Sequence, residues 1–125
     1  MPVKVVDASA LAALLFGEPD GAAVAERLRG GELFAPALLP FEVANVCVKK
    51  MRRHPDQRDA LIAAFGMLNR MEVGVVEVEH REALVLAERS GLTAYDASYL
   101  WLASRMSAEL VTLDQQLTAA GAMDL

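Results

Sequence analysis

The chain has 125 residues, 54% of them hydrophobic, and carries a formal net charge of −5. That length is a soft prior for a single domain spanning 1–125, and a chain of this size buries roughly two-thirds of its unfolded surface. The composition excludes a disordered chain, the negative charge gives no general attraction for nucleic acid, and no uninterrupted apolar run reaches the ~20 residues that cross a bilayer.

The absence of such a run and of a targeting segment points to a soluble, cytoplasmic protein with no membrane partner. The N-terminus lacks a basic segment followed by an apolar stretch and a small-residue cleavage site. The single cysteine, Cys47, has no second thiol to pair with and no ligand-like residue at metal-binding spacing. It falls in an apolar helical pattern and reads as a small buried hydrophobe.

Taken in order, Val3-Lys4-Val5-Val6 is a β-branched run ending at Asp7, the signature of a buried strand. Ala8 to Phe16 is helical and stops at Gly17, with Pro19 beyond; Asp20 to Arg29 is a second helix, stopped by Gly30-Gly31. Leu33-Phe34-Ala35 is a brief strand, and from Ala37 a helical pattern runs to about Arg53, with Pro40 in its first turn. Asp56 to Met71 reads as one further helix, Val73 to Val78 as a strand, and Glu79 to Ser90 as a helix. Thr93 is placed to cap a helix from Tyr95 to Ser107, which carries Asp96 in its opening turn. Leu110 to Leu113 is a last strand, and Asp114 to about Ala120 a short closing helix. Four apolar strands alternating with helices predict an α/β fold whose mainly parallel sheet is covered on both faces.

In such a sheet, chemistry collects beyond the carboxyl ends of the strands. Asp7 directly follows the first strand, Glu42 opens the helix that leaves the second, and Asp114 directly follows the last. A helix running antiparallel to the last strand returns Asp96 to the same edge. Apolar residues flank each of these acids, a setting charged side chains rarely take without a partner. No Lys or Arg stands at the equivalent strand ends. Carboxylates gathered there would repel and partly hold protons. A hard divalent ion, Mg²⁺ or Mn²⁺, removes that conflict and keeps room in its shell for water and phosphate. The pattern therefore predicts metal-dependent hydrolysis of a phosphodiester, against a plainer reading in which the four acids are helix caps and surface groups.

Four segments resemble the PIN-domain family, in particular VapC-type toxins of toxin–antitoxin pairs. They are Val5-Val6-Asp7-Ala8-Ser9-Ala10-Leu11, Pro40-Phe41-Glu42-Val43-Ala44-Asn45, Tyr95-Asp96-Ala97-Ser98-Tyr99-Leu100 and Leu110-Val111-Thr112-Leu113-Asp114. The resemblance implies a three-layer α/β/α fold around a central, mainly parallel sheet of four to five strands. It implies a Mg²⁺- or Mn²⁺-dependent ribonuclease, held inactive by a cognate antitoxin protein and commonly homodimeric. Asp7, Glu42, Asp96 and Asp114 match the family's metal-binding, catalytic acids. Ser9 and Thr112 match hydroxyls that support such a site, or are a local cap and a strand residue. Some relatives carry a further acid after Asp114; Gln115 and Gln116 stand there instead, which weakens a second metal position but not the first.

Asn45 lies one turn from Glu42 and either orients that carboxylate or faces solvent. Lys49, Lys50, Arg52 and Arg53 form the densest basic patch; they either guide an RNA backbone toward the acids or form a solvated helix end that suits the dipole. Tyr95, Tyr99 and Trp101 are read as packing residues before base-stacking ones. Leu11, Ala12, Leu15 and Phe16, with the segment from Ala22 to Leu28, form either core or an apolar groove for an antitoxin helix. Two other functions compete with the nuclease: a phosphatase with Asp7 as aspartyl nucleophile, and a catalytically silent binding module of the same fold. The phosphatase usually carries a second acid two residues on, where Ser9 stands.

Overall fold

A computed structural model of the protein describes residues 1–123. In chain order the elements are β1 (Val3–Val6), α1 (Ala8–Leu15), α2 (Gly21–Leu28), β2 (Glu32–Pro36), α3 (Leu39–Arg53), α4 (Arg58–Gly66), β3 (Gly74–Val76), α5 (His80–Ser90), α6 (Ala94–Met106), β4 (Glu109–Val111) and α7 (Gln115–Met123). No described helix is long and apolar enough to cross a membrane.

All strand pairs are parallel and the sheet order is β3-β2-β1-β4. Val5 of β1 lies opposite Phe34 on one side and Leu110 on the other. Central β1 is buried from both faces, which is why Val5 and Val6 follow one another without polar alternation. The order also dictates the layers. From β1 the chain steps outward to β2 and β3, then returns past β1 to β4. With right-handed crossovers, α1 to α4 fall on one face and α5 and α6 on the other. Contacts agree: α1 packs against α2 and α3, whereas α6 packs against α5 and α7. Val24, Leu39 and Val43 join Val5, Val6, Tyr99, Leu102, Val111 and Leu117 in one core. Of the segment considered as a groove, Leu11, Ala12, Val24 and Leu28 are buried, Leu15 and Phe16 are partly exposed, and Ala22 and Ala23 are exposed.

Two elements differ from the sequence expectation. The stretch from Asp56 to Met71 is not one helix: a 3₁₀ turn at Pro55–Gln57 leads into α4, and Met67–Met71 is again 3₁₀. Pro55 and Gly66 punctuate it, and although α4 rests on α3 it contains no fully buried residue, so little burial holds a longer helix together. The strand expected from Val73 to Val78 is only Gly74–Val76. Its partner β2 ends at Pro36, opposite Val76, so the residues beyond have no neighbour to pair with. Elsewhere the local signals are realised. Gly91 closes α5 at φ +74°, and the Thr93 hydroxyl accepts the Asp96 N–H at 3.1 Å.

Strand order reverses between β1 and β4, and at such a switch point the loops leave in opposite directions and open a crevice. Asp7 ends one of those two strands and Thr112-Leu113-Asp114 leave the other.

Close packing of α1 on α2 yields a direct test. A Cβ at Gly21 would lie 2.6 Å from the Ala13 carbonyl oxygen, whereas one at Gly66 meets nothing within 4 Å. Gly21→Ala is expected to cost about 1–3 kcal/mol and Gly66→Ala to stabilise by about 0.4–1 kcal/mol, both read from denaturant midpoints.

Candidate active site

Asp7 is built into the fold through both carboxylate oxygens. Its backbone N–H bonds the Val111 carbonyl at 3.2 Å, prolonging the β1–β4 ladder by one rung. Its Oδ1 accepts the Ala10 N–H at 3.0 Å and so caps α1, and accepts the Ser9 hydroxyl at 2.7 Å. Its Oδ2 accepts the Thr112 hydroxyl. The direction of these bonds is settled by their neighbours. Ser9 Oγ receives the Leu113 N–H at 3.0 Å, and Thr112 Oγ1 receives the Asp114 N–H at 3.0 Å. Each hydroxyl has one proton to give, and both are given to Asp7.

Glu42 lies in the first turn of α3 and is half-buried. Its Oε1 accepts the Tyr99 hydroxyl at 2.5 Å. Tyr99 is 1% exposed, so a core side chain fixes the position of this acid. Asp96 stands in the first turn of α6. Its backbone N–H is bonded to the Thr93 hydroxyl at 3.1 Å, and the Thr93 side chain also favours the ionised carboxylate. Asp114 leaves β4 and caps α7, Oδ1 accepting the Leu117 N–H at 2.9 Å.

Asp7, Glu42 and Asp96 each sense neighbouring carboxylates. Burial first, then the charges of Asp96 and Asp7, push the Glu42 carboxyl above its ordinary range against the opposing Tyr99 bond. Asp96 is raised by burial and by the charges of Asp114 and Asp7. Asp7 is raised chiefly by burial and slightly by Asp114, although Thr112, Ala10 and Ser9 all favour its ionised form. Tyr99 is pushed so far up by burial and by Glu42 that it stays a donor at any ordinary pH. No ion pair among the described residues includes any of the four.

Of the supporting residues, Ser9 and Thr112 join Asp7 as described. Asn45 is exposed and makes no hydrogen bond to Glu42, because that carboxylate turns toward Tyr99. The basic residues are not gathered around the acids. Lys50 is ion-paired with Glu18 at 3.4 Å and lies over the Phe16 ring. Lys49, Arg52 and Arg53 end α3, and a helix rises about 1.5 Å per residue, so Arg53 is some 16 Å along the axis from Glu42. Trp101 is engaged elsewhere, donating from Nε1 to Glu82 at 2.7 Å. Tyr99 is the site residue the sequence reading did not assign. Its one clue was spacing, three residues after Asp96 on the same helix face.

Among the described residues no three Asp, Glu, His or Cys side chains form a closed metal cage. Mg²⁺-type sites do not need one, since they are held by one or two carboxylates with waters and substrate phosphates completing the shell. The donor set here is all hard oxygen, desolvated and lacking a counter-charge, and it fits such an ion. A consequence for stability follows. A carboxyl raised in the folded state binds its proton more tightly folded than unfolded, so stability falls as pH rises from the ordinary carboxylate range through the folded value. In EDTA, denaturant midpoints are expected to decrease between about pH 4 and pH 7. Asp96→Asn should flatten that decrease, and millimolar Mn²⁺ should reverse it in the parent only.

A family model for the PIN domain matches residues 4–122. Ribonuclease VapC3 of Pyrobaculum aerophilum is 35% identical over 119 residues, covering 90% of each chain. Ribonuclease VapC12 of Mycobacterium tuberculosis is 32% identical over 114 residues, covering 90% of this chain and 88% of its own. A crystal structure of a Pyrobaculum aerophilum protein superposes with a TM-score of 0.75 at 29% identity, over 95% of this chain and 84% of that one. VapC20 of Mycobacterium tuberculosis, a toxin described as cleaving the sarcin–ricin loop, shares the fold with a TM-score of 0.67 at 19% identity, over 94% of this chain and 95% of its own. A match over nearly the whole length, on a parallel sheet with acids at its switch point, leaves one conclusion: the chain belongs to the PIN-domain family.

Proposed function

We propose that the protein is a divalent-metal-dependent endoribonuclease, the toxin of a toxin–antitoxin pair, and that it hydrolyses RNA phosphodiesters at Asp7, Glu42, Asp96 and Asp114. The observation that carries this reading is electrostatic: acids from remote parts of the chain meet at one sheet edge, burial and neighbouring carboxylates raise the proton affinity of Asp7, Glu42 and Asp96, and no ion pair among the described residues answers them. Curated relatives named as VapC ribonucleases support the substrate class and the need for an antitoxin partner.

When bound, Mg²⁺ or Mn²⁺ supplies an acidified water and positive charge for the phosphoryl oxygens. The chain's own residues divide the remaining work. Asp7, locked by three donors, is the fixed anchor for the ion. Glu42 is aimed by Tyr99 through one oxygen, leaving the other for the ion or its water. Asp96, whose carboxyl is raised by burial and by the charges of Asp114 and Asp7, suits the role of accepting the proton from the attacking water. Asp114 is held through Oδ1 by its cap and offers Oδ2. Lys49, Arg52 and Arg53 offer an exposed positive track for RNA more distant from the cut. A homodimer and a cytoplasmic location complete the reading. An aspartyl-phosphate mechanism is disfavoured, because both Asp7 oxygens already accept hydrogen bonds and are poor nucleophiles.

Asp7→Asn and Asp96→Asn are each expected to lower Mn²⁺-dependent cleavage of a mixed RNA pool by more than about a hundredfold with far-UV dichroism unchanged. Supporting partners of ligands typically account for 10–100-fold, so Thr112→Val and Tyr99→Phe should weaken Mn²⁺ binding, measured by calorimetry, by roughly that amount. EDTA should abolish cleavage; cleavage that persists in EDTA sinks the proposal.

A further inference from the structure

A second feature of the same sheet edge has no part in the chemistry above. A cavity of about 320 Å³ lies between the β2–α3 turn, the segment after β3 and the first turn of α6. That volume is at the lower end of ligand-sized clefts, room for one flat group. Pro36 and Ala83 are buried and give it an apolar lining, while Glu77, His80 and Tyr95 lend polar groups. Ser98 also lines it but spends its proton on the Tyr95 carbonyl at 2.5 Å. Tyr95 is 66% exposed, an unusual state for an aromatic residue in a helix whose next turn is core. It directly precedes Asp96, so its Cα is about 3.8 Å from that of a site acid.

We propose that this cavity is a nucleobase subsite, which seats one base of the RNA beside the scissile phosphate. The proposal rests on the ribonuclease reading. Tyr95 offers a ring face on which a base stacks. Glu77 accepts hydrogen bonds and so favours base edges that carry amino groups, and His80 offers a second contact. The dimensions oppose a protein partner: an amphipathic helix needs a groove for anchors at i, i+3 or i+4 and i+7, and this cavity takes one planar group. The subsite thereby supplies sequence preference that the acids, which see only phosphate and water, lack.

The test is fluorescence-anisotropy binding of short single-stranded RNA in EDTA at low ionic strength, where no cleavage occurs. Each position is replaced in turn by an abasic nucleotide. One position is expected to matter, base removal there weakening binding roughly 5- to 150-fold. Tyr95→Ala should bind intact RNA as weakly as the parent binds that abasic oligomer. Tyr95→Phe should bind like the parent, and Glu77→Gln should relax the preference for amino-bearing bases. Equal affinity and unchanged base dependence in Tyr95→Ala overturn the subsite, as does a Tyr95→Ala variant that keeps its RNA preference but loses a protein partner. The parent reading fails separately: if Mn²⁺ brings no cleavage yet one base position still depends on Tyr95, the cavity binds a base but the nuclease reading, and with it the placement beside a scissile phosphate, is overturned. Cleavage at the parental sites by Tyr95→Ala leaves the nuclease and removes the subsite.

Discussion

Like-charge repulsion is the constraint on which this molecule turns. Four carboxylates are brought to the edge where β1 and β4 diverge, and the fold holds them there with neutral donors. Ser9, Thr112, Tyr99 and the backbone N–H groups of Ala10 and Leu117 fix positions without cancelling charge. A lysine or arginine in any of those places would relax the repulsion and would equally displace an incoming cation. Charge-assisted bonds from neutral donors give the same positional precision and leave the electrostatic demand unmet. Stability has to come from elsewhere, and it does: the core around Val5, Val6, Leu39, Tyr99 and Leu102 is nearly dry. This is the usual arrangement in which a strained site is tolerated by a well-packed scaffold.

Much of this architecture is legible from residue order. Uninterrupted β-branched runs announce strands buried on both faces, and an acid directly after such a run has only one edge to occupy. Asp7 and Asp114 are readable for that reason. The Thr93 cap, the Gly91 stop and the Pro40 start are local signals with local causes. What sequence withholds is tertiary. The Tyr99–Glu42 bond spans 57 residues, and a tyrosine on an apolar helix face looks like any core aromatic until its partner is known. Asn45 shows the converse. Spacing along α3 places it near Glu42, yet which way a carboxylate turns depends on α6. The broken helix between Asp56 and Met71 belongs to the same class: its sequence is helical enough, but its packing on α3 leaves every residue of α4 at least partly exposed.

The division of labour at the carboxyl edge is also a division of information. On the function proposed above, acids that address phosphate and water are indifferent to sequence; the four acids sit at the ends of β1, α3, α6 and β4. The side chains suited to reading a base, Tyr95, Glu77 and His80, are more exposed and occupy the rim. On that same reading, changes at the rim would alter the base read and leave the acids in place.

The bond between Asp7 and Thr112 joins residues 105 apart. Asp7 lies at the end of β1, but the hydroxyl and carbonyl that help seat it come from β4 and the residue just after it. The seat of this acid is therefore a long-range feature, complete only once β4 has docked beside β1.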